Sequence, residues 1–176
     1  MRGAARHMPT VPKYLPLLAL LASLGTGLMA GLFFAFSSFV MQGLSRLPVE
    51  QGMSAMQHIN AAATNALFGL AFFGTAVACA VIIVATFTHA SSSAAHALLL
   101  AASVLYLLGV IGVTVAFNVP LNNALASTAA SQAAEYWPRY VDAWLGWNHV
   151  RTVLATAALA CFGWGMYRLG TRPLPS

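Results

Sequence analysis

The sequence predicts an all-α membrane protein, a bundle of four transmembrane helices with both termini on the cytoplasmic side. Of its 176 residues, 60% are hydrophobic and only 6% are charged, whereas a soluble domain carries about 25% charged residues. No Asp, Glu, Lys or Arg occurs between Lys13 and Arg46, and none occurs from Gln51 to Ala134. A spanning helix needs about 20 mostly apolar residues. The first charge-free stretch therefore holds one span and the second is long enough for two.

We expect one domain, because the length leaves room for a single bundle. A basic N-terminal tail covers residues 1–14 and a C-terminal tail covers residues 170–176. The run from His89 to Ser93 ends in three serines, a composition typical of loops, and it separates the second span from the third. The spans of the membrane domain 15–169 are expected at about residues 15–40, 67–87, 98–117 and 150–169.

The first segment has a cleaved signal peptide as its alternative, because basic residues precede an apolar run there. That run continues through Phe33, Phe34 and Phe36. It is well beyond the roughly 7–15 apolar residues of a signal peptide, so a retained helix is expected.

The basic residues set the expected orientation, because Lys and Arg are enriched on the cytoplasmic side of membrane proteins. With four crossings the two tails share that side, and segments 44–57 and 118–147 face the outside. We expect a multi-pass protein of the cell membrane, with the lipid bilayer as its partner. The net charge of +5 does not indicate nucleic-acid binding, because the basic residues form no stripe. Most of them lie in the terminal segments: Arg2, Arg6, Lys13, Arg168 and Arg172.

Polar residues gather on the outer side, at the ends of three helices. Buried amides and imidazoles are costly in lipid unless they pair or face a cavity, so the sequence predicts a polar pocket that opens toward the outer face. The middle of the bundle is expected to be plain apolar packing. The three groups are Gln57, His58, Asn60, Thr64 and Asn65; then Asn118, Pro120, Asn122 and Asn123; then Asp142, Trp144, Trp147, Asn148, His149, Arg151 and Thr152.

Spacing predicts which of these residues face the bundle. Asn148 and Arg151 share a helix face with Trp144, since residues three and four apart are neighbours on a helix. His149 lies about 100° around the helix and can reach a neighbouring helix. Pro120 lacks a backbone N–H and disfavours helix at the residue before it. The third helix is therefore expected to end or break there.

Structural alternatives stand beside these assignments. Arg151 also fits a side chain that snorkels to the interface, and Asn60 and Asn148 also fit hydrogen bonds that hold helices together. His58 and His149 together fit a metal site or a shared proton, but spacing sets no third ligand. Four aromatic residues also fit an interfacial belt: Trp137, Tyr140, Trp144 and Trp147.

Four segments match a known family in their order and spacing. They are GLFFAFSSFVMQGLSRLP at residues 31–48, AMQHIN at 55–60, NVPLNNAL at 118–125 and WLGWNHVRT at 144–152. Together they resemble the anthrone oxygenase family of small four-helix membrane proteins, along nearly the whole chain. The NxPLN and WNxxR elements are the most specific parts of the resemblance.

The resemblance implies an activity that composition and spacing do not show. Fungal members oxidise polyketide anthrones to anthraquinones with molecular oxygen. This implies a membrane oxidoreductase, a monooxygenase, that acts with O₂ on a small aromatic or polyketide-like substrate. The motif positions of the family correspond here to His58, Asn60, Asn118, Pro120, Asn122, Trp144, Asn148, His149 and Arg151.

Two mechanisms suit such a pocket. Without a cofactor, His58 or His149 removes the benzylic proton of a phenolic substrate. Asn148, Asn118 and Arg151 then stabilise the oxyanion that reacts with O₂. With a cofactor, His58 and His149 and an amide hold a copper or iron ion that activates O₂. We assign catalytic roles to His58, His149, Asn148 and Arg151, and substrate contacts to Asn60, Asn118, Asn122, Trp144 and Trp147.

A non-catalytic membrane protein is the alternative function, because a polar pocket serves recognition as well as catalysis. It would bind a small lipophilic ligand or act as a subunit of a membrane complex. A carrier fits less well, since the chain has no inverted repeat and no charged residue at mid-bilayer. Association of the chain into a homo-oligomer is left open.

Overall fold

The computed structural model describes residues 12–88 and 93–171, and these are all-α, as predicted. Most of the two predicted tails and nearly all of the predicted Ser-rich loop lie outside the described residues. A short 3₁₀ turn, Ala130–Gln132, connects the last two helices. The five helices are α1 (Leu15–Ser45), α2 (Val49–Ala62), α3 (Ala66–Thr88), α4 (Ala94–Ser127) and α5 (Ala133–Gly170).

Helices α1, α3 and α4 are long and apolar enough to cross a membrane. Their outward faces expose large apolar side chains such as Leu17, Leu28 and Phe87, and exposed apolar surface of this extent is typical of lipid contact. α3 and α4 cover the predicted segments 67–87 and 98–117. The fourth predicted span lies within α5, and the crossing at that place and the cytoplasmic position of the termini stay predictions.

The four long helices pack around a common core, in which α1 and α4 each contact both α3 and α5. Small residues permit the close approaches. A Cβ added to Gly25 of α1 would overlap the Thr75 hydroxyl of α3, and one added to Gly109 of α4 would lie 2.6 Å from Leu154 Cβ of α5. The core side chains include Leu15, Ile82, Leu99, Tyr106, Val110 and Phe162.

The middle of the bundle is not plain apolar packing, so that prediction is wrong. Thr75, Ser103 and Tyr106 are all buried there. The Tyr106 hydroxyl donates to the Phe72 carbonyl oxygen of α3 at 3.0 Å, and the Ser103 hydroxyl donates to the Leu99 carbonyl oxygen at 2.8 Å. Hydroxyls that bond to helix carbonyls in this way are satisfied without a polar environment.

A second apolar cluster lies beyond this core, at the end of the bundle away from the chain termini. It joins α2, the C-terminal ends of α1 and α4, and the N-terminal part of α5; we call this region the cap (residues 41–62 and 119–147). Gln57 fixes α2 there, because its Nε2 donates to the carbonyl oxygens of Leu125 at 2.8 Å and Thr128 at 3.2 Å. The buried members are Met41, Met53, Met56, Leu125, Ala133, Trp137, Tyr140 and Trp144.

An interfacial belt therefore does not describe three of the four aromatic residues considered for it. Trp137 is 3% exposed, Tyr140 1% and Trp144 5%. α2 covers them, so they form the interior of the cap. Trp147 is half-buried and stacks on Phe117 with 3.5 Å between ring centres.

π-helical turns interrupt α1 and α4 beside the cap. In α1 the turn covers Phe36–Val40, and the Met41 N–H donates to a carbonyl five residues back. In α4 the turn covers Thr114–Asn118. The third membrane helix was expected to end or break at Pro120; α4 does not end there but continues to Ser127, and a π turn interrupts it just before Pro120. The wide turn directly before Pro120 interrupts the regular hydrogen bonding, which suits a residue without an N–H.

Candidate functional site

Asn148 lies at the centre of a buried polar network between α5 and the π turn of α1. The residue is fully buried. Its Nδ2 donates to the Phe33 carbonyl oxygen and to Ser37 Oγ, both at 2.8 Å, and its Oδ1 accepts from Arg151 Nη2 at 2.8 Å. Both amide protons and the amide oxygen are used, so the network fixes the orientation of this side chain.

Ser37 connects this network to His149. Ser37 Oγ lies 2.9 Å from His149 Nδ1 and 3.0 Å from Thr152 Oγ1. The Thr152 hydroxyl in turn donates to the Asn148 carbonyl oxygen at 2.9 Å. Ser37 was not among the predicted site residues, because a serine in an apolar run carries no distinctive signal. Its place within the family-like segment 31–48 is the one feature that pointed toward it.

Arg151 is buried on the same face of α5 and is only 5% exposed, which excludes snorkelling. Its Nη1 donates to Thr114 Oγ1 in the π turn of α4 at 3.2 Å. Its Cζ lies 4.3 Å from the Phe33 ring centre and 5.2 Å from the Trp144 ring centre. The aromatic faces and neutral oxygens stabilise the guanidinium charge.

No acidic side chain balances that charge. The chain has three, Glu50, Glu135 and Asp142, and none forms an ion pair with Arg151 in the part of the chain that the structure describes. Glu135 instead pairs with Arg139 at the surface, at 2.9 Å. A buried charge depends strongly on its hydrogen bonds when it lacks an ionic partner. Asn148 is therefore a principal support of Arg151.

A second polar group lies inside the cap, around Tyr140. The Tyr140 hydroxyl donates to Asn122 Oδ1 at 3.0 Å, and Asn60 Nδ2 lies 3.4 Å from the same hydroxyl. Burial raises the pKa of Tyr140, and the hydrogen bond from Asn60 opposes part of that rise. The structure thus places two predicted substrate contacts, Asn60 and Asn122, around a tyrosine to which sequence analysis gave no functional role.

Asn118 lies closer to the Asn148 network. It is 1% exposed, and its Nδ2 donates to the Trp144 carbonyl oxygen at 3.4 Å. Asn118 Oδ1 and Trp144 Nε1 have no hydrogen-bond partner among the residues 12–88 and 93–171. Asn118 is therefore a neighbour of Trp144, Asn148 and Arg151, whose spacing on α5 had indicated one shared face.

His58 lies elsewhere, on the exposed face of α2. Its Nδ1 is 2.7 Å from the Ser54 carbonyl oxygen of the same helix, and it shares no hydrogen-bond partner with His149 among the contacts described. Within the described ranges no three His, Cys, Asp or Glu residues group as metal ligands. A copper or iron ion held by the two histidines stays a prediction.

His149 borders an open groove on the outward face of α5. The groove has a volume of about 330 Å³, and its other lining residues are Val150, Val153 and Leu154. Small-molecule sites usually have about 300–1,000 Å³ and mostly apolar walls with a few polar groups. This groove reaches the lower end of that size range, but it is open and its walls are apolar, with His149 at its edge.

The fold and this network define a class: a small helical membrane protein with a buried polar site at one end of its bundle. Comparison with protein families then gives the family, because residues 63–161 match the model of the anthrone oxygenases. The match covers more than half of the chain, so the chain belongs to the anthrone oxygenase family, and the resemblance is confirmed. The matched region contains Asn148, His149 and Arg151, whereas Ser37 and His58 precede it. Neither the curated proteins nor the solved structures gave a significant match.

Proposed function

We propose that this chain is an oxidoreductase of the cell membrane that uses O₂ to oxidise a small aromatic or polyketide-like substrate at the outer membrane face. Four crossings, with α5 as the fourth, place the cap and the His149 groove on that side. The bilayer supplies both reactants, because flat aromatic molecules and O₂ partition into lipid. Family membership supports the oxygenase class of reaction.

The observation that carries this proposal is the position of His149. Its imidazole is exposed at the edge of the apolar groove, and its Nδ1 contacts Ser37, which is bound to the buried Asn148. A general base needs both access to the substrate and a fixed orientation. Among the histidines in the described ranges, His149 is the one that both borders the groove and contacts the buried network.

The reaction balances without another oxidant or reductant. His149 takes one proton from the benzylic CH₂ of the substrate, and the resulting carbanion adds to O₂ to give a hydroperoxide. Loss of the second benzylic proton and cleavage of the O–O bond then give a carbonyl group and water. One oxygen atom enters the product, which is monooxygenase stoichiometry.

Asn148 and Arg151 affect this reaction without contacting the substrate. Both side chains are buried on the inward face of α5 and do not line the groove. An aromatic substrate bound in the groove would therefore not contact them. They hold Ser37 in place, and the guanidinium charge favours the negative charge that develops on the substrate. The predicted substrate contacts do not line this groove; they are Trp147, Asn118 and the cap residues Asn60, Asn122 and Trp144.

Oxygen uptake tests the proposal. Membranes containing the protein are supplied with an anthrone, and uptake is compared with that of membranes without the protein. We expect uptake with the stoichiometry of one O₂ per carbonyl formed. Absence of uptake, with the protein shown to be folded by circular dichroism, would contradict catalysis and favour a non-catalytic binder of lipophilic ligands.

Two matched variants separate the roles of the histidines. His149→Gln removes the proposed base and should lower kcat by about 100-fold or more. His58→Gln removes an exposed histidine of α2 and should leave kcat within about twofold if no metal is shared. Equal losses in the two variants, together with copper or iron found by metal analysis, would instead support the metal-dependent mechanism.

A further inference from the structure

The hydroxyl hydrogens around Ser37 can be assigned from the contacts alone. Thr152 Oγ1 lies 2.9 Å from the Asn148 carbonyl oxygen. A carbonyl oxygen only accepts, so the single hydroxyl hydrogen of Thr152 points at it. Thr152 Oγ1 is therefore the acceptor in its 3.0 Å contact with Ser37 Oγ, and the hydroxyl hydrogen of Ser37 is used there.

This assignment fixes the tautomer of His149. Ser37 has one hydroxyl hydrogen, and Thr152 receives it. Ser37 Oγ already accepts from Asn148 Nδ2 at 2.8 Å, which leaves it one lone pair for the 2.9 Å contact with His149 Nδ1. A lone pair needs a donor, so the hydrogen of the neutral imidazole is on Nδ1. The lone pair of the imidazole is then on Nε2.

We propose that Ser37 is a positioning residue that holds His149 in the Nδ1–H tautomer and makes Nε2 the atom that accepts the substrate proton. The assignment of the tautomer is independent of the reaction. The identity of the proton that Nε2 accepts rests on the proposed function. Ser37 precedes the residues matched by the family comparison.

The same arrangement serves both protonation states of His149. When Nε2 gains a proton, Nδ1 keeps its own hydrogen and continues to donate to Ser37 Oγ. The bonds of Ser37 with Asn148 and Thr152 also keep their directions. Proton transfer at Nε2 therefore needs no rearrangement of the buried network, and a base that requires no reorganisation is the more effective one.

Nitrogen NMR tests the tautomer directly. The protein is labelled with ¹⁵N-histidine and measured in detergent micelles at a pH where His149 is neutral, and the signals of His149 are identified by their loss in His149→Gln. A protonated ring nitrogen and a bare one resonate far apart. We expect a protonated Nδ1 and a bare Nε2 in the wild type. A protonated Nε2 would overturn the proposal.

Ser37→Ala and Ser38→Ala form a matched pair for the same measurement. Ser38 is the next residue in the same π turn, but its hydroxyl donates to the Phe34 carbonyl oxygen at 2.7 Å and does not contact His149. Ser37→Ala should move His149 toward a mixture of tautomers, Ser38→Ala should leave its spectrum unchanged, and Ser37→Thr should restore the wild-type state. An unchanged spectrum in Ser37→Ala would overturn the proposal.

Kinetics give the second readout. Ser37→Ala should lower kcat by about 10- to 100-fold and leave KM nearly unchanged, because it alters the base and not the groove. Ser37→Thr should recover most of the loss. A rise in KM at constant kcat would contradict the positioning role. If no variant, including the wild type, oxidises any substrate, the proposed function fails while the NMR result still decides the role of Ser37.

Discussion

Replacing Asn148 by leucine should destabilise the protein more than any other change of one polar side chain on α5. The two side chains are similar in size, so Asn148→Leu removes hydrogen bonds and leaves little cavity. Three bonds are lost: those to the Phe33 carbonyl oxygen and to Ser37, and the one from Arg151.

The expected cost follows from the kinds of bond. A hydrogen bond that involves a charged group contributes about 1.5–3 kcal/mol, and the bond from Arg151 Nη2 is of this kind. Neutral hydrogen bonds between helices in a membrane contribute about 0.6 kcal/mol each, and Asn148 donates two of them. We therefore expect Asn148→Leu to lower the free energy of unfolding by about 3–4 kcal/mol.

The assay is reversible unfolding in mixed micelles, followed by circular dichroism. Asn123→Leu is the matched control, because Asn123 is exposed at the end of α4 and should change stability by less than about 0.5 kcal/mol. A double-mutant cycle with Arg151→Met should give a coupling of about 1.5 kcal/mol or more between Asn148 and Arg151. Equal stability of the two leucine variants, or zero coupling, would refute the reasoning that Asn148 supports the buried charge.

Three further predictions concern the bundle and the cap. Gly25→Ala should lower the free energy of unfolding by about 1–3 kcal/mol, because the added methyl group overlaps the Thr75 hydroxyl. Gly31→Ala is the control: nothing lies within 4 Å of its added Cβ, so the same unfolding assay should show no change. Burial raises the pKa of Tyr140 above its ordinary value of 10.0. The stability that its protonated form contributes is therefore complete below about pH 10 and is lost as the pH rises further. Tyr140→Phe should flatten the fall in unfolding free energy measured from about pH 9 to about pH 11. Gln57→Ala removes both bonds that fix α2 and should increase proteolysis of that helix at unchanged circular dichroism of the bundle, and an unchanged cleavage rate would contradict its anchoring role.

The helices were predictable to the extent that charge marked their ends. The long charge-free stretch placed α3 and α4 correctly, because a helix buried in lipid admits few charges. The helix that contains the fourth predicted span is longer than that span, because α5 begins at Ala133. Glu135 and Arg139 are on the exposed surface of a helix that extends beyond the bundle, and charge alone does not distinguish such a surface from a loop.

The site was predictable on one helix and not between helices. The spacing of Trp144, Asn148 and Arg151 correctly indicated one buried face, since helical periodicity is a local property. The residues that this face contacts, Ser37 and Thr114, are more than 30 positions away in sequence. Nothing in the sequence distinguishes them from other serines and threonines of membrane helices. The burial of Tyr140 also depends on α2, whose packing no local pattern indicates.

The cap has a consequence for the synthesis of the protein. Its interior combines side chains from α1, α2, α4 and α5, and the ribosome makes α5 last. Until then Met53, Met56 and Leu125 lack the buried aromatic side chains of α5, so the nascent chain presents them to chaperones and membrane proteases. A chain that stops before residue 133 lacks the side chains that α5 contributes to the cap, so its exposed methionines mark it as incomplete.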